Sequence, residues 1–215
     1  FDPFLNDGSE ICPGDIVFHI SGNIHSILKS ERLVLNIMQR MSGIATSTRL
    51  YADRLRGLKT KILDTRKTTP GMRFLEKEAV RTGGGENHRM GLYDMIMLKD
   101  NHIDYAGGIE NAVRRTREYL QFSQKSLKIE IEARNLDDVK KILETGGVDR
   151  ILLDNFNIAD TREAVRLIAG RYETESSGGI TLETLREYGE CGVDYVSAGA
   201  LTHHIKSLDM SLKAF

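Results

Sequence analysis

KIEIEARNLDDVKKILETGGVDRILLDNF, residues 128–156, carries the pattern that decides the fold. Two short runs rich in Ile and Leu flank a stretch in which Leu136, Val139, Ile142 and Leu143 recur at helical spacing. Short apolar runs of this kind suit strands buried on both faces, and strand, helix, strand in sequence is a parallel βα unit. Asn135 is placed to cap the helix, and Gly146-Gly147 to end it.

The same unit recurs on either side. TKILDTR (60–66), MIMLKDN (95–101) and DYVSAGAL (194–201) are further strand candidates, while RYETESSG (171–178) is polar and is assigned as a strand only because it falls in phase. GGIENAVRRTREYLQ (107–121), NIADTREAVRLIAG (157–170) and TLETLREYGECG (181–192) have helical spacing, with Asn157 and Thr181 as caps. Such alternation predicts an α/β fold with a parallel sheet, either a barrel or a doubly wound sheet. Residues 1–30 differ: GDIVFHI (14–20) and SGNIHSIL (21–28), broken by Gly, Pro and Asn-Asp-Gly, suit a small antiparallel or mixed β element. Residues 30–57 are expected to form two helices, Ser30 capping the first and Ser42-Gly43 marking a break. The opening FDPFLNDGSEICPGD has no initiating Met and resembles the middle of a domain, so further residues are expected upstream.

Charge excludes some classes of partner. The 215 residues carry a formal net charge of -1 and a pI near 6.7, which gives no global field for nucleic acid or an anionic membrane. No apolar run approaches the roughly 18 to 20 residues of a membrane span, and the opening residues are not expected to form a charged-then-apolar signal segment. Cys12 and Cys191 lie far apart without metal-ligand spacing, as expected of reduced, half-buried residues in a cytoplasmic protein.

Nearly every strand candidate ends in polar residues: Asp64 to Lys67, Lys99 to Asn101, Glu130 and Glu132, Asp154-Asn155, Ser176 to Gly178, and Ser197 with Gly199. In parallel α/β proteins those carboxyl ends form the ligand face. Arg66, Lys67, His88, Arg89 and Lys99 would gather cations there, suiting a ligand with several negative groups. An isolated Arg-Lys pair is more often a surface ion pair, here with Asp64 or the following helix; neighbouring strand ends shift the balance toward a dianion site. Glu130, Glu132 and Asp154 could hold sugar hydroxyls or a Mg²⁺ carrying phosphates, or pair with those same cations. Ser176 to Ile180 and Ser197 to Ala200 are small-residue loops suited to phosphate. The Gly83-Gly84-Gly85 triplet suits a close-passing turn that aims His88, and His102, His203 and His204 suit surface or helix-end positions.

ERLVLNIMQRMSGIATST (31–48), KILDTRKTTPGMR (61–73), VRTGGGENHRMGLYDMIMLKDNH (80–102), ILLDNF (151–156) and SSGGI (176–180) closely resemble the quinolinate phosphoribosyltransferases. The resemblance implies an open parallel α/β barrel at residues 31–205. Residues 1–30 would then be part of an N-terminal α/β sandwich domain, and residues 206–215 would return to it. It also implies transfer of phosphoribose from phosphoribosyl pyrophosphate to quinolinate with decarboxylation, giving nicotinate mononucleotide for NAD synthesis with Mg²⁺ as cofactor. Arg66, His88, Arg89 and Lys99 match the family's quinolinate-binding positions, and Arg32 the arginine lent by the second subunit of a homodimer. Lys67, Glu132 and Asp154 match the catalytic positions around phosphoribosyl pyrophosphate, Glu132 and Asp154 holding the metal directly or through water. Ser177, Gly178, Gly179 and Gly199 match the loops for its 5′-phosphate. A same-fold paralogue with another substrate and a non-catalytic barrel module are the alternatives.

Overall fold

Each of the six strand candidates forms a strand of one parallel sheet in the computed structural model, which describes residues 1–214. The chain opens with an antiparallel pair, β1 (Asp2–Pro3) and β2 (Phe18–His19), and then the long helix α1 (Ile24–Arg54). The sheet and its helices follow as β3 (Lys61–Leu63), α2 (Arg73–Thr82), β4 (Ile96–Leu98), α3 (Asp100–Ala106), α4 (Ile109–Ser123) and β5 (Ile129–Ala133). The remainder is α5 (Leu136–Thr145), β6 (Arg150–Asp154), α6 (Ile158–Ile168), β7 (Glu173–Ser177), α7 (Leu185–Glu190), β8 (Tyr195–Ser197) and α8 (Ala200–His203).

The strand order is β3-β8-β7-β6-β5-β4, so β3 and β4 are the two edges and never pair. Residues 85–88 occupy that seam: Glu86 N–H donates to Ile62 O at 2.9 Å, and Asp64 N–H to Glu86 O at 3.2 Å. On the other side Arg89 Nη1 donates to Met95 O at 3.3 Å. From the seam, His88 reaches both Glu130 of β5 and Glu175 of β7, which only a sheet curled on itself allows. The fold is an open α/β barrel. Its apolar layer joins Ile129, Ile131, Ile151, Leu153 and Val196 of the strands to Val139, Ile142, Ala164, Ile168 and Leu185 of the helices. Each of the Val, Ile and Leu side chains contributes about 1.5–3 kcal/mol by leaving water.

Local chemistry explains the helix starts. Asn135 Oδ1 accepts from Asp138 N–H at 2.9 Å and Asn157 Oδ1 from Asp160 N–H at 2.8 Å, each worth about 1 kcal/mol. Thr181 does not cap α7. A turn intervenes, Leu185 N–H donating to Thr181 O, and Thr184 takes the cap position. SGNIHSIL is not a strand but the start of α1, capped by Asn23. Cys12 is exposed and Cys191 buried, and both are free thiols.

The largest difference from expectation lies in α1, which is one helix of 31 residues rather than two. Ser30 sits inside it, donating to Ser26 O. Gly43 is buried and helical, and any Cβ there would overlap the backbone of Lys206. It is a point of close approach, not a break, and the cost of glycine in a helix, about 0.5–1 kcal/mol, is offset by that contact. The segment after α8 lies along α1, with Leu208 N–H donating to Gln39 O at 3.1 Å and Gln39 Nε2 to Met210 O at 2.9 Å. Gly83 and Gly85 likewise let the end of α2 press on Ala45 and Thr48 of α1.

Gly43→Ala is therefore expected to lower the unfolding free energy by about 1–3 kcal/mol, read by urea unfolding followed by circular dichroism. Unchanged stability would contradict the close approach.

Candidate active site

Parallel strands present their carboxyl ends on one face, and the sequence candidates collect there. Arg66 and Lys67 follow β3, Lys99 follows β4, Glu132 lies near the end of β5, Asp154 ends β6, Ser177 ends β7, and Gly199 follows β8. The loop bearing Arg66 and Lys67 is pinned from below. Arg40 of α1 donates to Thr69 Oγ1 at 2.7 Å and to Glu76 Oε1 at 2.8 Å, while Glu76 Oε2 accepts Thr69 N–H at 3.1 Å. Thr202 Oγ1 donates to Lys67 O at 2.9 Å, and a side chain at Gly199 would press on Lys67 and His203.

Arg89 is buried, yet among the described residues its guanidinium has only weak hydrogen-bond partners, Met95 O at 3.3 Å and Met97 Sδ at 3.6 Å. Burial lowers its pKa, and the like charge of Arg66 lowers it further. The carboxylates of Glu130, Asp94 and Glu132 oppose that effect from a distance, but among the described residues none of them hydrogen-bonds the Arg89 guanidinium.

The acidic side is more nearly balanced. Glu132 Oε1 accepts from Lys99 Nζ at 3.1 Å and Oε2 from Asp100 N–H at 3.1 Å. Asp154 accepts from Asn155 Nδ2 at 2.9 Å, and its pKa is raised by burial and then by the charge of Glu132. Two repelling carboxylates with an oxygen to spare are a donor set that suits a hard divalent cation. Beside them Gly178 (φ 98°) and Gly179 (φ 61°) turn the chain in the left-handed region, and a side chain at Gly178 would overlap Asn155. The turn leaves room for a ligand close to the backbone.

Beneath this face lies a charged tier that strand-end residues alone did not reveal. His88 Nε2 is 2.9 Å from Glu130 Oε2 and 3.4 Å from Glu175 Oε2, all three buried. Arg150 Nη1 donates to Glu175 Oε2 at 2.9 Å. These three side chains are close enough to hold an ion, but Arg150 and His88 already supply the cations. Burial raises the Glu130 pKa, with the charge of Glu175 adding to it, to about 7. Burial also opposes ionisation of Glu175, but hydrogen bonding and charge from His88, with Ser197 and Arg150, hold it at about 2. Burial lowers the His88 pKa, yet the two carboxylates outweigh it and lift the imidazole to about 9. Against this, Arg89 N–H points at His88 Nδ1 from 2.7 Å, which favours a lone pair there. Two carboxylates in a dry interior outweigh one neutral amide, so the pKa lies above 6.5 and the proton on Nε2 is the firmly held one.

Asp64 does not pair with Arg66 or Lys67. Its partner is Lys77 of α2, fully buried with it, and nothing in the helical stretch RFLEKEAVRT distinguishes that lysine from a surface one. Arg32 stands apart: it is exposed on α1 and makes no hydrogen bond or ion pair with the other candidates among the described residues.

A family model described as "Quinolinate phosphoribosyl transferase, C-terminal domain" matches residues 44–213, and its N-terminal counterpart matches residues 1–42. The chain belongs to the quinolinate phosphoribosyl transferase family. The chloroplastic nicotinate-nucleotide pyrophosphorylase [carboxylating] of Arabidopsis thaliana is 48% identical over 96% of this chain and 63% of its own length. The mitochondrial quinolinate phosphoribosyltransferase [decarboxylating] 2 of Nicotiana glauca is 45% identical over 98% of this chain and 63% of its own length. The chain thus spans just under two thirds of these curated relatives. The crystal structure of NadC from Streptococcus pyogenes is 43% identical, covers 100% of this chain and 74% of its own, and superposes with a TM-score of 0.92. The two family domains meet inside α1, which runs from one into the other. No helix among the described residues is long and apolar enough to cross a membrane.

The buried tier should leave a mark on stability against pH. His88 and Glu130 have raised pKa values, so their contributions are lost as pH rises, from 6.5 through about 9 for His88 and from 4.5 through about 7 for Glu130. Glu175 is depressed, so its contribution is lost as pH falls from 4.5 through about 2. Urea unfolding across pH is expected to show stability declining toward pH 9, with Glu130→Gln flattening the part between 4.5 and 7. Stability rising over that range would refute the assignment.

Proposed function

We propose that this chain carries the decarboxylating phosphoribosyl transfer of its family, converting quinolinate and phosphoribosyl pyrophosphate to nicotinate mononucleotide, pyrophosphate and CO₂. The observation that supports it best is the buried Arg89 guanidinium, pressed by the like charge of Arg66 and, among the described residues, hydrogen-bonded only to Met95 O and Met97 Sδ and to no carboxylate. A dicarboxylate relieves that repulsion. Arg66, Arg89 and Lys99 would receive its two carboxylates, with His88 at the pocket floor.

The rest of the face suits the second substrate. Ser177, Gly178, Gly179 and Gly199 would cradle the 5′-phosphate with backbone amides. Lys67 lies beside Gly199, placed to meet phosphate charge. As the pyridine nitrogen bonds to ribose C1 and pyrophosphate leaves, positive charge grows on the ribose, and the Glu132 and Asp154 carboxylates would stabilise it. Mg²⁺, held by Asp154 and Glu132 directly or through water, would offset charge on the departing pyrophosphate. Nitrogen alkylation makes the ring an electron sink for the pair left at C2 when CO₂ departs, and that carbon then takes a proton from water to give the product. The protein's task is then to hold the ring with one carboxylate free to leave, which makes positioning the larger contribution.

The test is CO₂ release from quinolinate in the presence of phosphoribosyl pyrophosphate and Mg²⁺. Arg89→Ala is expected to weaken quinolinate binding by about 2–5 kcal/mol in calorimetry with the fold intact. Nicotinate, with one carboxylate, is expected to be a poor substrate because a buried cation would stay unpaired, and equal turnover of the two would sink the pocket assignment.

The same reading places the site across a homodimer in the cytoplasm. Arg32 is exposed, and near it on α1 Ile24, Leu28, Leu33 and Val34 are also exposed, an apolar surface suited to a second copy. Arg32→Ala and Lys99→Ala proteins, each inactive alone, are expected to regain partial activity when mixed, because one site of the hybrid carries neither change. No recovery after demonstrated subunit exchange would remove Arg32 from the partner's site.

A further inference from the structure

Asp64, Lys77 and Asn87 belong to none of the ligand-facing groups, yet they converge on one residue of the site. Lys77 Nζ donates to Asp64 Oδ1 and, at 3.0 Å, to His88 O. Asp64 Oδ1 also accepts His88 N–H at 2.8 Å. The Asn87 amide, with its nitrogen turned toward the pair as the network requires, donates to Asp64 Oδ2 at 2.7 Å and to Lys77 O at 2.9 Å. His88 is therefore gripped at both its N–H and its C=O by one buried ion pair. The carbonyl that Lys77 holds and the N–H that His88 Nδ1 accepts at 2.7 Å belong to the same peptide unit, the one that begins Arg89.

We propose that Asp64 and Lys77 are positioning residues for substrate recognition, an ion pair that fixes the His88–Arg89 peptide and so aims the Arg89 guanidinium at a substrate carboxylate. This deepens the functional reading above and rests on it. The need for such a device follows from where Arg89 is. Residues 85–88 fill the seam between β3 and β4, where the regular strand ladder is missing and backbone groups must find other partners. A guanidinium held weakly by its own surroundings gains geometric precision only from the backbone that carries it, and a displacement of about 1 Å is enough to lose a directed contact. A buried ion pair is a weak source of net stability, so its presence at this peptide is better explained by geometry.

The test uses three variants of the intact protein with steady-state kinetics for both substrates. Removing one buried charge strands the other, so Lys77→Met is expected to lower the melting temperature as well as binding. The double variant Asp64→Asn with Lys77→Met leaves no stranded charge and is expected to melt near the parent, while the KM for quinolinate stays raised at least tenfold. In both, the KM for phosphoribosyl pyrophosphate should remain within about twofold of the parent, a split that general loosening of the barrel would not produce. Asn87→Ala removes an exposed residue, keeps both charges, and is expected to raise the quinolinate KM several-fold with kcat little changed. Parental quinolinate KM in Asn87→Ala and in any folded double variant would overturn the proposal, as would equal losses for both substrates. A parent protein without quinolinate turnover would instead overturn the functional reading and this inference with it.

Discussion

Glu130 and Glu175 face the inside of the barrel, and much of the chemistry above them follows from the cations needed to keep them there. A carboxylate out of water demands a partner. His88 serves both, and Arg150 serves Glu175 from a neighbouring strand. With His88 drawn inward, the next residue is placed at the pocket, and Arg89 enters it from a backbone that cannot swing. The polar floor and the cationic pocket are two levels of one charge arrangement.

The second constraint is the long helix α1. Through Arg40 it holds Thr69 and Glu76, and so the loop of Arg66 and Lys67; through Gly43 it accepts the returning chain near Lys206. The family's two domains meet within this helix. A rigid element that crosses between domains and touches the loop of one strand end can transmit the placement of the first domain to the site. Rigidity is what a break at Ser42-Gly43 would have removed.

Much of the fold was legible because the barrel's outer layer obeys ordinary patterning. Ile129, Ile131, Ile151 and Leu153 announce buried strands, and Asn135 and Asn157 cap helices as their chemistry predicts. Strand β7 reads as a strand by phase alone, since Thr174 and Glu175 are buried polar residues whose partners, Asp194 and Arg150, come from other strands or their approaches. Local pattern cannot show such pairing. For the same reason the sequence does not mark Lys77: on a helical wheel it is one lysine among several charges, and only the tertiary structure puts Asp64 within its reach. Gly43 has the local signature of a helix terminator, and only the opposing backbone of Lys206 explains a glycine inside the helix. The clustering of ligand-type residues at strand ends was visible early because it depends only on chain direction.

The strand order also has a bearing on how the molecule reaches its native state. Strands β4 to β8 are each beside their sequence neighbours, so each of those ladders closes over a single helical crossover. Strand β3 is different: among the described strands its partner is β8, with Lys61 opposite Tyr195, at the far end of the chain. Non-local pairings pay their loop-closure entropy late, so β3 is expected to dock after the other five strands have assembled. A φ-value near zero at Ile62, beside values near one half at Ile131 and Ile151, would be its kinetic signature. Asp64, Arg66 and Lys67 ride on β3 or its exit, so the anion-binding face would be completed only in the final step of folding. An incompletely folded chain would then be unable to sequester either substrate.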